Sequence, residues 1–271
     1  MNTLIQKINQ SGVEKFFKVQ YTGSNLKVTP KFIPKAYRIL AAVCEVISLK
    51  NVPDLYIRQG DDINSITIGS EAPIIVINQG CLEKLTNLEL MFLLGHEVGH
   101  IKSQHCAYHQ MAMAFPIISN LLGKATLGVG EFVSMGIRSA LLAWRRKSEF
   151  TGDRAGLLAC QSIESAITIM MKMAGAPESH YNSLDPQDFL DQTEHFEGLG
   201  EDNLDLLAKV LSSDEESHPW TVTRCHEISK WVDSGNYDRV IENHSKPALQ
   251  KQSESEHASK TSAKCGKRVR D

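Results

Sequence analysis

Apolar residues recur along this chain at two periods, and the switch between them divides it. From Thr29 to Leu49, Ala, Val, Ile and Leu fall at helical spacing, and Asn51-Val52-Pro53 ends the run. Three short stretches then alternate or are solidly β-branched: Leu55–Arg58, Ser65–Gly69 and Pro73–Asn78. Gly69-Ser70-Glu71-Ala72 reads as a hairpin turn between the last two. The helical period then returns, predicting helices near 81–85, 88–110, 126–147, 149–174, 186–196, 203–211 and 220–233. Ahead of Thr29, residues 3–20 read as a short amphipathic helix and a loop. From Ser245 onward Ser, Lys and Glu dominate with almost nothing apolar, the composition of a disordered tail. The expected division is an N-terminal helix and loop over 1–28, one domain over 29–244 and a polar tail over 245–271. The expected class is α+β, mostly helical, with a three-stranded sheet beside the helix at 88–110.

Charge and cysteine usage narrow the function classes. A formal net charge of -3 over 271 residues argues against a nucleic-acid partner, which usually requires a basic stripe. The six cysteines are scattered without a CxxC pair, which suits reduced thiols in a cytoplasmic protein better than a disulfide framework. The opening residues are polar and charged, unlike a signal peptide. Met111 to Gly123 is apolar but shorter than the roughly 20 residues of a spanning helix. Ala125 to Trp144 is long enough, but Glu131, Arg138 and Arg145 recur every seven residues and share one helical face. The stretch 111–147 therefore reads as non-spanning. A helix lying on a membrane surface, finished by Trp144-Arg145-Arg146-Lys147, is the membrane role it leaves open.

The chemistry concentrates at Gly95-His96-Glu97-Val98-Gly99-His100, an HExxH inside a helix. Residues i and i+4 lie on one helical face, so both imidazoles reach a single ion. Zinc accepts such nitrogens in a tetrahedral site that keeps a position for water. Glu97 stands where it takes a proton from that water. Met91-Phe92-Leu93-Leu94 and Val98 mark the helix as buried, and Gly95 and Gly99 beside the histidines imply close approach by another backbone or a ligand. About fifty residues on, Glu149 and Asp153 are again i and i+4. Glu149 completes a His2Glu set, and Asp153 fixes the tautomer of a ligand histidine through its outer nitrogen.

Together, ELMFLLGHEVGHI, SEFTGDRAGLLA and SHPWTVTRCHEI stand in the order found in the HtpX, Oma and CAAX-prenyl endopeptidase family of gluzincins, which the chain resembles from about Pro30 to Ile241. The resemblance implies a helical metallopeptidase core with a small sheet. It implies one zinc ion per chain at His96, His100 and Glu149, Glu97 as general base and Asp153 in support. It places His218 and Arg224 near the metal, as oxyanion stabilisers or, for His218, as a gate that ligates the zinc in a closed state. It also matches Asn64, Ser65 and Ile66 to an edge strand that receives an extended peptide as an added strand. Here Ser65 stands where alanine is usual and Ile66 where an aromatic is usual. Relatives that thread the segment between the two motifs through a membrane differ from this chain, which resembles a soluble branch.

His105 and His109 form a further i,i+4 pair, read as surface or supporting residues, and Cys106 as a small buried residue. Trp220 and Trp231 are read as packing within the C-terminal helices. The expected activity is zinc-dependent endopeptidase, hydrolysing peptide bonds with Glu97 as base. The competing readings are a latent or peptide-binding, chaperone-like module on the same fold, and a membrane-peripheral protein.

Overall fold

The computed structural model describes residues 14–109, 129–198 and 220–245. In chain order the elements are α1 (Glu14–Gly23), β1 (Leu26–Lys27), α2 (Pro34–Val46), β2 (Asp54–Arg58), β3 (Ser65–Ile68), β4 (Ile74–Asn78), α3 (Gly80–Lys84), α4 (Asn87–Lys102), α5 (Val129–Cys160), α6 (Ile163–Met173), a 3-10 turn (Glu178–Ser183), α7 (Pro186–Gly198), α8 (Thr221–Asp233) and α9 (Asn236–Ser245). The chain divides into a large unit, residues 1–229, and a small one, residues 230–271. Within the small unit, Gly235 at φ 68 turns the chain into α9, and the Trp231 and Tyr237 rings meet edge to face at 5.6 Å. Five cysteines (Cys44, Cys81, Cys106, Cys160 and Cys225) are buried free thiols.

The sheet runs β1-β2-β4-β3. The Ile74-Ile75-Val76-Ile77 run of β4 is buried at every position, as a strand flanked on both sides and covered on both faces must be. It pairs parallel with β2, Tyr56 opposite Val76, and antiparallel with β3, Thr67 opposite Ile75. β3 is therefore an edge, and its alternation sends Ile66 and Ile68 to the face where Tyr56, Ile74 and Val76 cluster. Ser65 and Thr67 take the opposite face, toward α4.

α4 packs on α2, α5, α6 and β3. Its start is held by a capping box: Thr86 Oγ1 accepts from the Glu89 amide at 3.3 Å and Glu89 Oε2 accepts from the Thr86 amide at 2.7 Å. Lys172 Nζ on α6 donates to the same Glu89 oxygen at 2.7 Å and to the Lys84 carbonyl at 3.1 Å. At the other end Gln104 adopts φ 58, and the His105 amide reaches back to the His100 carbonyl at 2.9 Å, a Schellman turn built without glycine. Along its length α4 meets α5 through small residues. A Cβ on Gly95 would lie 2.6 Å from Ala159 Cβ, one on Gly99 2.5 Å from Ala155 Cβ, and one on Gly156 2.7 Å from the Phe92 carbonyl oxygen.

The structure departs from the sequence expectations in several places. The sheet has four strands, not three, because a two-residue strand such as β1 has no readable period. The two helices expected to meet at 148 are one helix through Cys160. Ser148 does not break it, since its hydroxyl donates to the Arg145 carbonyl at 2.7 Å inside the helix. The break falls at Gln161, φ 49, and Ser162 caps α6 by accepting from the Ser165 amide at 3.1 Å. α2 begins at Pro34, whose fixed φ and missing N–H suit a first turn, and α9, with Tyr237, Val240 and Ile241 at helical spacing, was not expected. The helix expected at 203–211, the tail beyond 245 and all of 111–128 lie outside the described residues. Among the described residues no helix is long and apolar enough to cross a membrane.

Because the Phe92 carbonyl cannot yield as a side chain can, Gly156→Ala is expected to force α4 and α5 apart, costing about 1–3 kcal/mol. Thermal or denaturant unfolding against Gly23→Ala, whose Cβ meets nothing within 4 Å, measures it. Equal stability of the two variants would contradict the close-packed seam.

Candidate metal centre

The spacing of α4 turns both histidines of the HExxH to one side, and the glycine seam brings α5 close enough to answer them. His96 Nε2 lies 3.0 Å from His100 Nε2 and 3.4 Å from Glu149 Oε2, and His100 Nε2 lies 3.7 Å from Glu149 Oε1. Ligands about 2.0–2.1 Å from a tetrahedral ion sit about 3.3 Å from one another. The three separations bracket that value. All three residues are buried, and among the described residues they form the one group of His, Cys, Asp or Glu able to hold a metal. Two imidazoles and a carboxylate are a donor set that zinc accepts.

The outer nitrogens are partnered as well. Asp153 Oδ1 accepts from His96 Nδ1 at 2.9 Å, leaving the Nε2 lone pair for a cation. Arg224 on α8 grips Asp153 with both arms, Nε to Oδ2 at 2.9 Å and Nη2 to Oδ1 at 2.6 Å. His100 Nδ1 lies 3.0 Å from His105 Nδ1, carried there by the Schellman turn. His109 Nε2 lies 2.8 Å from Ser148 Oγ, and the Trp144 ring meets His105 and His109 edge to face and Tyr108 at a tilt. A Cβ on Gly152 would lie 2.7 Å from the His96 ring, so only glycine leaves the imidazole its place.

Burial would push the His96 imidazolium pKa down, but the Asp153 and Glu149 carboxylates outweigh it and raise it to about 10. Burial, reinforced by His96, lowers His100 well below its ordinary value, and burial takes His109 down to about 3. Burial likewise opposes ionisation of Asp153, yet the Arg224 guanidinium and His96 hold its carboxyl below the usual carboxylate range.

Glu97 stands beside the cluster with both oxygens occupied: Ser65 Oγ donates to Oε1 at 2.6 Å and Thr67 Oγ1 donates to Oε2. A cleft of about 970 Å³ opens there, bordered by residues 63–67 of the β3 edge, the cluster, the end of α6, α7 and the start of α8. Asn64, Ser65, Ile66 and Arg224 all line it. The backbone carbonyl of Asn64 is already spent on the Asn78 amide at 2.9 Å and Cys81 Sγ at 3.3 Å. Trp220 also lines the cleft and meets the Phe196 ring at 5.1 Å. His218 lies outside the described residues. Sequence reading passed over Thr67, which pairs with Glu97 through a strand alternation that was legible, and left His105 as a surface or supporting residue without naming its partner His100, which depends on the turn at Gln104.

A helical core with a small mixed sheet, built around two histidines and a glutamate on facing helices, defines a metallopeptidase-type scaffold, and the chain's sequence places it among known families. The model of Peptidase family M48 matches residues 35–232, and the chain belongs to that family. It is 28% identical over 233 residues to the plastoglobule-localized metallopeptidase 48, chloroplastic, of Arabidopsis thaliana, covering 85% of this chain and 66% of that protein. A crystal structure of S. mikatae Ste24p superposes with a TM-score of 0.47 at 14% identity, covering 83% of this chain and 55% of that one. The chain thus spans less than two thirds of the length of either.

Since the protonated form of His96 persists to about pH 10, a divalent cation must displace its proton. Zinc binding at pH 7 is expected to release about one proton per ion, and affinity to fall about tenfold for each pH unit lowered. Calorimetry of the metal-free protein in two buffers of different ionisation enthalpy measures the release, and binding without proton release would contradict the assignment. Asp153→Asn is expected to weaken zinc binding about 10–100-fold.

Proposed function

We propose that the chain is a zinc-dependent endopeptidase. The observation that supports it most is the convergence of His96, His100 and Glu149 beside Glu97, at the wall of a cleft edged by an open strand. His96, His100 and Glu149 would hold the ion, with Asp153 and His105 orienting the two imidazoles. Zinc bound there supplies Lewis acidity, polarising a carbonyl and lowering the pKa of a water to about 7.

The remaining roles fall to the chain's own residues. An extended peptide adds to the free edge of β3 through main-chain hydrogen bonds, antiparallel or parallel to residues 64–66. Glu97 takes the proton of the attacking water and passes it to the departing amine. Arg224, with Nε and Nη2 committed to Asp153, holds that carboxylate ionised and aimed at His96. This role replaces direct contact with the substrate oxyanion as its main contribution.

The test is cleavage of an unfolded protein such as casein by zinc-loaded wild type and Glu97→Gln. Loss of about 10²–10⁴-fold in the variant, with one zinc retained per chain, is expected. Equal cleavage by the two would remove Glu97 from the role of base. If neither cleaves although both hold zinc, His218→Ala separates a latent enzyme, which gains activity, from a binding module, which does not.

A further inference from the structure

We propose that Ser65 and Thr67 are positioning residues that aim Glu97, so that the strand aligning the peptide also aligns the base. The inference rests on the endopeptidase reading above and concerns the same site.

Strand alternation puts residues 65 and 67 on one face of β3, and that face looks at α4. Each hydroxyl takes a different oxygen of the same carboxylate, Ser65 at Oε1 (2.6 Å) and Thr67 at Oε2. The terminal torsion of a glutamate is broad and roughly two-fold. One hydrogen bond would leave the carboxylate free to swing about that contact, whereas two, from a single rigid strand, fix its plane. Thr67 is suited to this because a β-branched side chain in a strand is stiff at χ1, and it is buried. A carboxylate offers about four lone-pair positions, so two hydroxyls leave acceptor capacity for a water.

The support is as telling as the contact. The ion ligands stand on α4 and α5, but the carboxylate of Glu97 is tied to the sheet. β3 uses one edge on β4, with Ser65 opposite Ile77 and Thr67 opposite Ile75. Its other edge borders the cleft. A peptide added there and the hydroxyls that hold the base are carried by the same backbone, so a shift of the strand moves carbonyl and base together. Misplacement by about 1 Å can cost about 100-fold in rate.

The test compares zinc-loaded wild type with S65A, T67V, the double variant, and the hydroxyl-retaining S65T and T67S, on one peptide substrate. The double variant is expected to lose about 10–100-fold in kcat with KM within about twofold and zinc affinity unchanged. S65T and T67S are expected to stay within about threefold of wild type. In an E97Q background, S65A with T67V is expected to lower the residual rate no further. Wild-type kcat in the double variant, a loss carried by KM, or a further loss in the E97Q background would overturn the proposal. If neither the wild type nor His218→Ala cleaves, the endopeptidase reading fails by itself. The contact is then still tested by thermal unfolding of E97A, the double variant and the triple. Non-additive shifts in Tm support the pairing, and additive shifts overturn it.

Discussion

The centre depends on how closely two helices approach. His96 and His100 belong to α4, Glu149 and Asp153 to α5, and nothing local to either helix fixes the space between them. The spacing is set by the absence of Cβ atoms at Gly95, Gly99, Gly152 and Gly156, where each added carbon would fall 2.5–2.7 Å from the facing helix. Ordinary helix pairs sit about 8–10 Å apart, and side chains at the seam would impose that distance. The separations of 3.4 and 3.7 Å from Glu149 to the two imidazoles would then lengthen past what one small ion can bridge. Glycine weakens a helix by about 1 kcal/mol relative to alanine, so four on one contact are a local cost offset by what the contact brings together.

Around that seam the molecule fastens both ends of α4 with buried polar groups. At its start Glu89 serves two partners, the Thr86 amide and Lys172, joining the capping box to α6. At its end the turn at Gln104 folds His105 back against His100. α5 is fastened through Asp153, which carries the Arg224 guanidinium from α8 on one side and His96 on the other. A buried charge left without a partner would cost several kcal/mol. In the Arg224–Asp153–His96 chain each charge finds its partner on another helix, so α8 is held against the pair although it lies 71 residues further along the sequence than Asp153.

What could be read from the sequence follows from this division between local and distant causes. The HExxH, the i,i+4 pair Glu149 and Asp153, the strand periods and most helices are local patterns, and residue spacing displays them directly. Gly95 and Gly99 signalled a close approach but not what approached, because the answer sits on another helix. The continuity of α5 through Ser148 was missed because a serine followed by Glu149 resembles a helix start, and only the hydroxyl bond to the Arg145 carbonyl shows otherwise. Strand β1 was too short to carry a period. Arg224 and Glu227 stand i,i+3 on one helix, yet Glu227 faces Arg154 at 3.8 Å while Arg224 reaches Asp153. Pairings that fold distance decides are silent in a linear reading.

The candidate ion ligands and the Glu97 carboxylate have separate supports, the first on the helix seam and the second on the sheet edge, and this bears on what the scaffold can become. On the proposal above, a change in the sheet would spoil the aim of Glu97 while the three candidate ligands would still hold an ion, and a change in the seam would release the ion while the strand edge would still accept a peptide. Holding zinc is therefore weak evidence of turnover, and accepting a peptide is weak evidence of either. Family membership over residues 35–232 spans both supports. Away from both supports the cleft wall is apolar, lined by Met171 and Met173 of α6, Phe189 and Phe196 of α7 and Trp220 before α8. On the endopeptidase proposal above, these apolar side chains would meet the peptide, while Glu97 and the three candidate ligands would carry the chemistry.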